Sequence, residues 1–297
     1  METPDVDIAA RRGIRSSLLG AMINFALSIT KCVAGVIGHS FALVADGLES
    51  LTDVVSSSAV AIGIWLAIKP PDRNHPYGHG KAEPIAAVVV SLALIAAGIA
   101  IAIQSIAEIR TPHRLPAPYT LGVLLAVVMI KIVLSRYVSA IGESIESNAV
   151  KADAWHHLSD AITSGLAFIG ISIGLLTRNA TADDWAALCA SPIILFNGVR
   201  QIRAPMGELL DTAPPVSVEE TVRNVAVTIH GVAGLDKCFV RKMGFRYYVD
   251  LHVRVDGRIS VAAGHRIAHE VENAVLAAYP RIAEVLVHVE PTRETRD

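Results

Sequence analysis

The sequence predicts a six-helix α-helical transmembrane domain over residues 1–211 and a small α+β domain over residues 212–297. Composition is the first reason: 52% of the 297 residues are hydrophobic and only 18% are charged, whereas soluble domains average about 25% charged residues. The second reason is a series of six apolar blocks in the first part of the chain. The third is a change after Pro214-Pro215 to the mixed pattern of a soluble domain.

The apolar blocks are predicted to cross a bilayer as helices. A bilayer core requires about 20 predominantly apolar residues in a helix, and Pro84 to Ile103 supplies such a stretch without a charge. The last block is short and has to include flanking residues to span the membrane. The six blocks cover residues 16–37, 41–68, 84–108, 119–140, 149–176 and 185–199.

Lysine and arginine residues set the predicted orientation, because they are enriched in cytoplasmic loops. With the N-terminus inside, the loops on its side carry ten of these residues and the opposite loops carry three. Both termini are therefore predicted to be cytoplasmic, in an inner (cytoplasmic) membrane. Arg11, Arg12 and Arg15 run directly into the first block without a small-residue cleavage site, so no cleavable signal peptide is expected.

The C-terminal region is predicted to fold in the order α-β-β-α-β. Ser217 is the expected N-cap of its first helix, followed by acidic residues in the first turn. Residues 247–256 alternate between apolar and polar side chains, which is typical of a half-buried strand. Residues 261–279 have helical periodicity, and residues 284–290 are predicted to form a closing strand.

Charge and cysteine content exclude several classes of protein. The net charge of −2 provides no basic field for nucleic acid. Cys32, Cys189 and Cys238 are far apart and form no Cys-x-x-Cys pair, which argues against a disulfide framework or a thiolate zinc site. The three cysteines are expected to be free thiols.

An internal repeat places ionisable residues inside two apolar blocks. The segments ADGLESLTDVVSS, from Ala45, and ADAWHHLSDAITS, from Ala152, both read Ala-Asp-x-x-ligand-x-x-x-Asp. Charged groups in mid-membrane are costly and therefore indicate function. The candidate ligands at matching positions of the two segments are Glu49 and Asp53 in the first, and His156 and Asp160 in the second.

The spacing of these residues predicts a metal site. Residues four apart share one helix face, and the two repeats enter the membrane from opposite sides, so all four side chains can meet near the midplane. Three carboxylates and an imidazole suit a tetrahedral ion such as zinc. For a single membrane aspartate, a simple hydrogen bond between helices is an equally good interpretation, and that role is favoured for Asp46 and Asp153. Lys31 is expected to extend to the membrane surface.

Two further groups of residues are weaker metal-site candidates. Asp72, His75 and His79 lie in the loop PPDRNHPYGHGKAEP, where solvated histidines are the alternative interpretation. The C-terminal region carries dispersed histidines for which ordinary surface positions are the alternative. The segment around His265 and His269 lacks the His-Glu-x-x-His order of a metalloprotease helix. These C-terminal histidines are His252, His265, His269 and His288.

Across nearly its whole length, the chain resembles the cation diffusion facilitator family. The motifs that carry the resemblance are ADGLESLTD, ADAWHHLSD, NHPYGHGKAEP and the tail ending in LVHVEP. The resemblance implies a homodimer in a lipid bilayer that exports zinc or a related divalent ion in exchange for protons, without a required cofactor. It also implies that the tail, a ferredoxin-like or metallochaperone-like domain, senses metal at the dimer interface.

The resemblance assigns residues to three sites. Glu49, Asp53, His156 and Asp160 match the transport site, and Asp72, His75 and His79 match a loop site. The tail positions that match the sensing site are His252, His265, His288, Asp236 and Glu290. Glu49 departs from the Asp or His of well-studied zinc exporters, which leaves iron, cobalt, nickel, cadmium and manganese as alternatives to zinc.

Competing functions make different use of these residues. A membrane-anchored metal sensor or assembly partner without transport would bind metal only in its soluble domain, and the paired membrane ligands argue against it. A metal-dependent hydrolase would need an open coordination position and an adjacent general base, and four protein ligands leave neither. The protein is therefore expected not to be an enzyme.

Overall fold

The computed structural model describes residues 4–37, 41–110, 117–178 and 181–292. Within these ranges, a few helical residues, including Asp46 and Glu49, are described by their backbone alone. The chain divides into two compact units. One comprises Ala9–Met206, and the other combines Gly207–Asp297 with Met1–Ile8.

Long helices make up the larger unit. Their order and bounds are α1 (Pro4–Ile37), α2 (Phe41–Ala67), α3 (Ala82–Arg110), α4 (Thr120–Ser144), α5 (Asn148–Thr177), α6 (Ala182–Gln201) and the short α7 (Arg203–Leu209). Helix α5 packs against α2, α3, α4 and α6. The second copy of the sequence repeat therefore lies on a helix that packs against the helix of the first copy.

Burial in the helical unit is reversed relative to a soluble protein. Large apolar side chains such as Met22, Val55 and Phe196 are at least 66% exposed, whereas many serines and several charged residues are buried. Among the described residues, four helices are long and apolar enough to cross a bilayer, namely α1 from Asp7 onward, α3, α4 and α5, and Asp53–Ala67 of α2 is a shorter apolar stretch. Such exposed apolar surface requires lipid around it, which confirms a helical transmembrane domain.

A buried carboxylate joins α3 to the start of α5. The chain leaves α4 through Glu146, which has a φ of 52°, and Ser147 then caps α5 by accepting from the Val150 N–H. The Glu83 carboxylate accepts hydrogen bonds from the Ser147 hydroxyl at 2.6 Å and from the Ala149 N–H at 2.8 Å. This carboxylate therefore accepts a hydrogen bond from a first-turn N–H, which would otherwise lack a partner within the helix, and places negative charge at the amino end of the helix that carries His156 and Asp160.

Replacing Glu83 with Gln is expected to destabilise the membrane domain by about 2 kcal/mol, because hydrogen bonds to a buried charged group contribute about 1.5–3 kcal/mol. Thermal unfolding of the purified protein in detergent measures this loss. Glu143→Gln, an exposed change on α4, is the matched control. A melting temperature equal to that of the control would contradict the capping role.

The smaller unit has the predicted αββαβ order. Its elements are α8 (Val216–Ala226), β1 (Gly234–Met243), β2 (Arg246–Val255), α9 (Val261–Ala278) and β3 (Ile282–Pro291). The strands lie in the order β1-β2-β3, with β1 antiparallel and β3 parallel to β2. The β1–β2 connection turns through Gly244, whose φ of 62° favours glycine.

Strand β2 has the predicted apolar face. Its alternate side chains, Tyr247, Val249, Leu251, Val253 and Val255, are at most 3% exposed and pack into one core with α8 and α9. The predicted N-cap was wrong: α8 begins at Val216, and Pro215 occupies the cap position with a φ of −50° and a ψ of 138°. The helix starts without a side-chain cap, and the Val218 N–H donates to the Pro215 carbonyl at 3.0 Å.

The division between the units lies at Gly207, five residues before the sequence-based boundary at residue 212. Glu208 explains the difference. Its carboxylate accepts a hydrogen bond from the Gly244 N–H at 2.7 Å and forms an ion pair with Lys242 Nζ at 2.9 Å. The last residues of α7, from Gly207 onward, therefore belong to the smaller unit together with its β1–β2 hairpin.

Candidate metal centres

Three of the four repeat residues converge inside the membrane domain. Asp53 lies on α2, and His156 and Asp160 lie one turn apart on α5. His156 Nε2 is 2.7 Å from Asp53 Oδ1, and ligand atoms of all three residues lie within 4.8 Å of one another. Asp53 and His156 are only 1% and 4% exposed. A buried imidazole between two carboxylates has the donor atoms of a divalent metal site.

A lysine that the sequence analysis did not single out completes this cluster. Lys131 of α4 donates to Asp53 Oδ2 at 2.8 Å and to Asp160 Oδ2 at 2.8 Å, and its side chain is completely buried. The available signal was its position at the middle of the fourth apolar block, because an ionisable residue there indicates a functional site. The cluster therefore contains a cation of its own.

Glu49, the fourth proposed ligand, is described by its backbone alone. It lies on α2 one turn before Asp53, and residues four apart share a helix face. The role of its side chain, like that of Asp46, falls outside the described residues and stays a prediction.

Asp153 makes the interhelical hydrogen bond predicted for it. The Ser57 hydroxyl of α2 donates to Asp153 Oδ1 at 2.8 Å, and Asp153 is fully buried on α5. His157, which sequence reasoning missed, lies beside it with its Nε2 3.8 Å from Asp153 Oδ1. These side chains lie next to the Asp53 cluster and join α2 to α5.

The prediction that Lys31 extends to the membrane surface was wrong. Its side chain is 1% exposed, and Nζ donates to the Ser50 hydroxyl of α2 at 2.9 Å. Burial in a helix pair satisfies this ammonium group within the protein.

The loop between α2 and α3 forms the second predicted cluster. Asp72 Oδ1 is 3.2 Å from His75 Nδ1, and Asp72 Oδ2 is 3.5 Å from His79 Nε2. The backbone N–H of His75 donates to the Asp72 carboxylate and holds its pKa below the usual value, with a smaller contribution from the Asn74 N–H. The carboxylate is therefore charged at neutral pH and available to a cation.

The third cluster lies on adjacent strands of the smaller unit. The parallel register pairs His252 with His288 and Arg254 with Glu290, which places two imidazoles and a carboxylate on one face. His252 Nδ1 is 2.7 Å from Glu290 Oε1, and His288 Nε2 is 3.7 Å from the same oxygen. Register alone thus produces a candidate metal site.

The other two residues predicted for the tail site lie elsewhere in the described protomer. The His265 ring contacts the His269 ring on α9, with 4.5 Å between centroids. Asp236 lines a surface hollow of β1 together with Arg223 and Asp250. Among the described residues, neither joins the His252 cluster, so their participation in a metal site shared between two copies stays a prediction.

Comparison with known proteins identifies both parts of the chain. Residues 17–210 match the cation efflux transmembrane domain, and residues 214–292 match the cytoplasmic domain of cation efflux proteins. Metal tolerance protein C1 of Arabidopsis thaliana is 32% identical over 92% of this chain, which spans 61% of that protein's length.

Two bacterial relatives match over nearly their full lengths. The manganese efflux system protein MneP of Bacillus subtilis is 30% identical, and the match covers 93% of this chain and 95% of the relative. The cation-efflux pump FieF of Cronobacter sakazakii is 26% identical, with 93% of this chain and 92% of the relative covered.

Proposed function

Because the chain belongs to the cation efflux family, we propose that it is a homodimeric antiporter that exports a divalent transition-metal cation from the cytoplasm in exchange for protons. The observation that carries this proposal is the convergence of Asp53, His156 and Asp160 inside the membrane domain. Burying such groups in a membrane is costly, and a transported cation would compensate the carboxylate charges. Zinc is the first candidate ion.

The donor atoms favour zinc, and the name of one relative makes manganese a second candidate ion. Imidazole and carboxylate together suit zinc, whereas manganese prefers oxygen donors. One relative is named as a manganese efflux protein, and a carboxylate at Glu49 would increase the share of oxygen donors. Zinc and manganese are therefore the two ions to compare directly.

Exchange for protons follows from competition for the same atoms. Carboxylates and imidazole must be deprotonated to bind metal, so metal binding releases protons and protonation expels metal. If the metal-bound and protonated forms favour oppositely facing conformations, each ion drives the other across the membrane. Apparent metal affinity is then expected to weaken as the pH falls.

The proposed orientation places both termini and the smaller domain in the cytoplasm, in an inner (cytoplasmic) membrane. It is supported by the excess of positive residues in the loops on that side. The family model matched by residues 214–292 also describes a cytoplasmic domain. The same orientation places the loop that carries Asp72, His75 and His79 in the cytoplasm, the side from which the metal would be taken up.

Flux measurements in proteoliposomes test the proposed function. Vesicles containing the purified protein are given zinc, manganese or cobalt under an imposed pH gradient, while metal and lumenal pH are recorded with dyes. The expected result is saturable metal uptake accompanied by opposite proton movement. Absence of flux for every ion would contradict the transporter assignment, and metal flux without proton movement would contradict antiport.

The tail cluster is proposed to bind the same metal as a regulatory ligand. A fragment of residues 207–297, which carries the whole apolar core of the αββαβ unit, is expected to melt at a higher temperature when zinc is added. A ligand that binds only the folded state stabilises it by mass action, by about 2.7 kcal/mol at one hundred times its Kd. Combined His252→Ala and His288→Ala substitutions are expected to remove this shift.

His230→Ala is the control for the tail experiment, because His230 is exposed and belongs to none of the three metal clusters found among the described residues. It is expected to retain the zinc-dependent increase in melting temperature. Equal zinc stoichiometry and equal thermal shifts in the wild-type fragment and the double variant would contradict the regulatory site.

A further inference from the structure

We propose that Lys131 is a tethered counter-cation, which holds the transport site when metal is absent and must withdraw before metal can bind. This inference rests on the proposed function, in which Asp53, His156 and Asp160 bind the transported ion. It adds that the ammonium group and the metal exclude each other, so that Lys131 sets both the affinity of the site and the ease of metal release.

The contacts of Asp53 place the ammonium group against a carboxylate that is proposed to bind the metal. Its Oδ1 faces His156 Nε2 at 2.7 Å, and its Oδ2 accepts from Lys131 Nζ at 2.8 Å. The same ammonium group is 2.8 Å from Asp160 Oδ2. One oxygen of each of these two carboxylates is thus held by a single positive group.

A metal ion and this ammonium group cannot share the site. A zinc ion would lie about 2.0–2.2 Å from each carboxylate oxygen, in the same region that Nζ occupies between Asp53 and Asp160. Repulsion between an ammonium and a divalent cation is strong at such separation, because the buried surroundings screen it poorly. Metal binding therefore requires Lys131 to move, and its flexible four-carbon stem permits that movement.

Lys131 also stabilises the site when no metal is bound. Two carboxylates buried next to each other without a cation would be strongly destabilising, and Lys131 supplies a balancing charge from within the protein. When the metal leaves, the ammonium group can return to Asp53 and Asp160, so the empty site is restored without waiting for another ion. Lys131 is expected to weaken metal binding and to favour metal release.

A neutral hydrogen bond between α4 and α5 lies close to Lys131. Ser135, one turn further along α4, donates to the Ala154 carbonyl of α5 at 2.8 Å, which anchors α4 against the helix of His156 and Asp160. Ser135→Ala perturbs the same helix contact without changing charge. It is therefore the matched control for substitutions of Lys131.

Equilibrium zinc binding by the full-length protein tests the inference at constant pH. The background carries His75→Ala, His79→Ala, His252→Ala and His288→Ala, so that the loop and tail clusters do not contribute. Lys131→Met is expected to lower the zinc Kd by about tenfold, since coupling between close buried charges is commonly this large or larger. Ser135→Ala is expected to leave the Kd nearly unchanged.

Thermal unfolding supplies a second measurement. Without metal, Lys131→Met is expected to melt at a lower temperature than the background protein, and zinc is expected to raise its melting temperature by more than that of the background. Lys131→Gln, which keeps a polar side chain, gives the same comparison if the Met variant does not fold. Both measurements are repeated with Asp53→Ala added, which is expected to abolish zinc binding at this site.

The outcomes separate this inference from the proposed function. Zinc binding that depends on Asp53 but is no tighter in Lys131→Met or Lys131→Gln overturns the inference and leaves the transport site in place. Absence of Asp53-dependent zinc binding in the background protein and in both lysine variants overturns the metal site itself, and the inference with it.

Discussion

Replacing Asp53 with Ala is expected to reduce metal flux in proteoliposomes to the level of empty vesicles. Asp53 contacts both His156 and Lys131, so its loss removes a metal ligand and leaves Lys131 paired with Asp160 alone. Changes to residues that only support metal ligands typically cost about 10–100-fold in metal affinity, so the loss of a ligand itself is expected to lower the affinity by at least about a hundredfold.

The control for Asp53→Ala is Ser58→Ala on the same helix. The Ser58 hydroxyl donates to the Val54 carbonyl within α2, so this substitution is expected to retain wild-type flux. Size-exclusion chromatography establishes whether each variant has the wild-type assembly. Wild-type transport by a folded Asp53→Ala protein would show that the site is wrongly assigned.

Replacing His156 with Asp is expected to change which ion is transported. The substitution turns the described ligands into an all-carboxylate set, and oxygen donors favour manganese over zinc. The ratio of kcat/KM for zinc to that for manganese is expected to fall by at least about tenfold, equivalent to about 1.4 kcal/mol of preference. Competition between the two ions in the same vesicles measures the ratio directly.

His269→Gln is the control for the selectivity experiment, because it removes an imidazole from the exposed surface of α9 and is expected to leave the ratio unchanged. A His156→Asp protein that transports zinc and manganese in the wild-type ratio would show that the imidazole does not contact the transported ion.

The repeat in the sequence was sufficient to predict that residues of two helices come together inside the membrane domain. A spacing of four residues on each of two helices places Asp53 opposite His156 and Asp160 without knowledge of the packing. The alternating pattern of β2 likewise predicted its buried face, because side chains alternate across a strand. Both predictions depend on local periodicity alone. The structure confirms the buried face of β2, and it brings Asp53, His156 and Asp160 together.

Residues whose partners are distant in sequence were not predictable in this way. Lys131 lies outside both copies of the repeat, and only the packing of α4 against α5 brings it to Asp53. The Glu83 carboxylate contacts Ser147, at the start of α5, which is 64 residues further along the chain. Glu208 reaches Gly244 across 36 residues, which shifts the domain boundary. Tertiary packing determines all three contacts.

The tail cluster is an intermediate case. Histidines on a predicted strand were visible in the sequence, but the pairing of His252 with His288 depends on the parallel register of β2 and β3. A shift of one residue would move either side chain to the other face of the sheet. The sequence thus supplied the ligand types, and the register determined which of them meet.

Zinc coordination in the membrane domain tests the central claim most directly. In a protein with the loop and tail clusters removed by His75→Ala, His79→Ala, His252→Ala and His288→Ala, X-ray absorption of bound zinc reports the ligands that remain. We predict a single zinc ion per protomer, bound by one imidazole and by carboxylate oxygens, and lost when Asp53→Ala is added. Zinc that remains bound with unchanged coordination in the Asp53→Ala protein would contradict the assignment of the transport site.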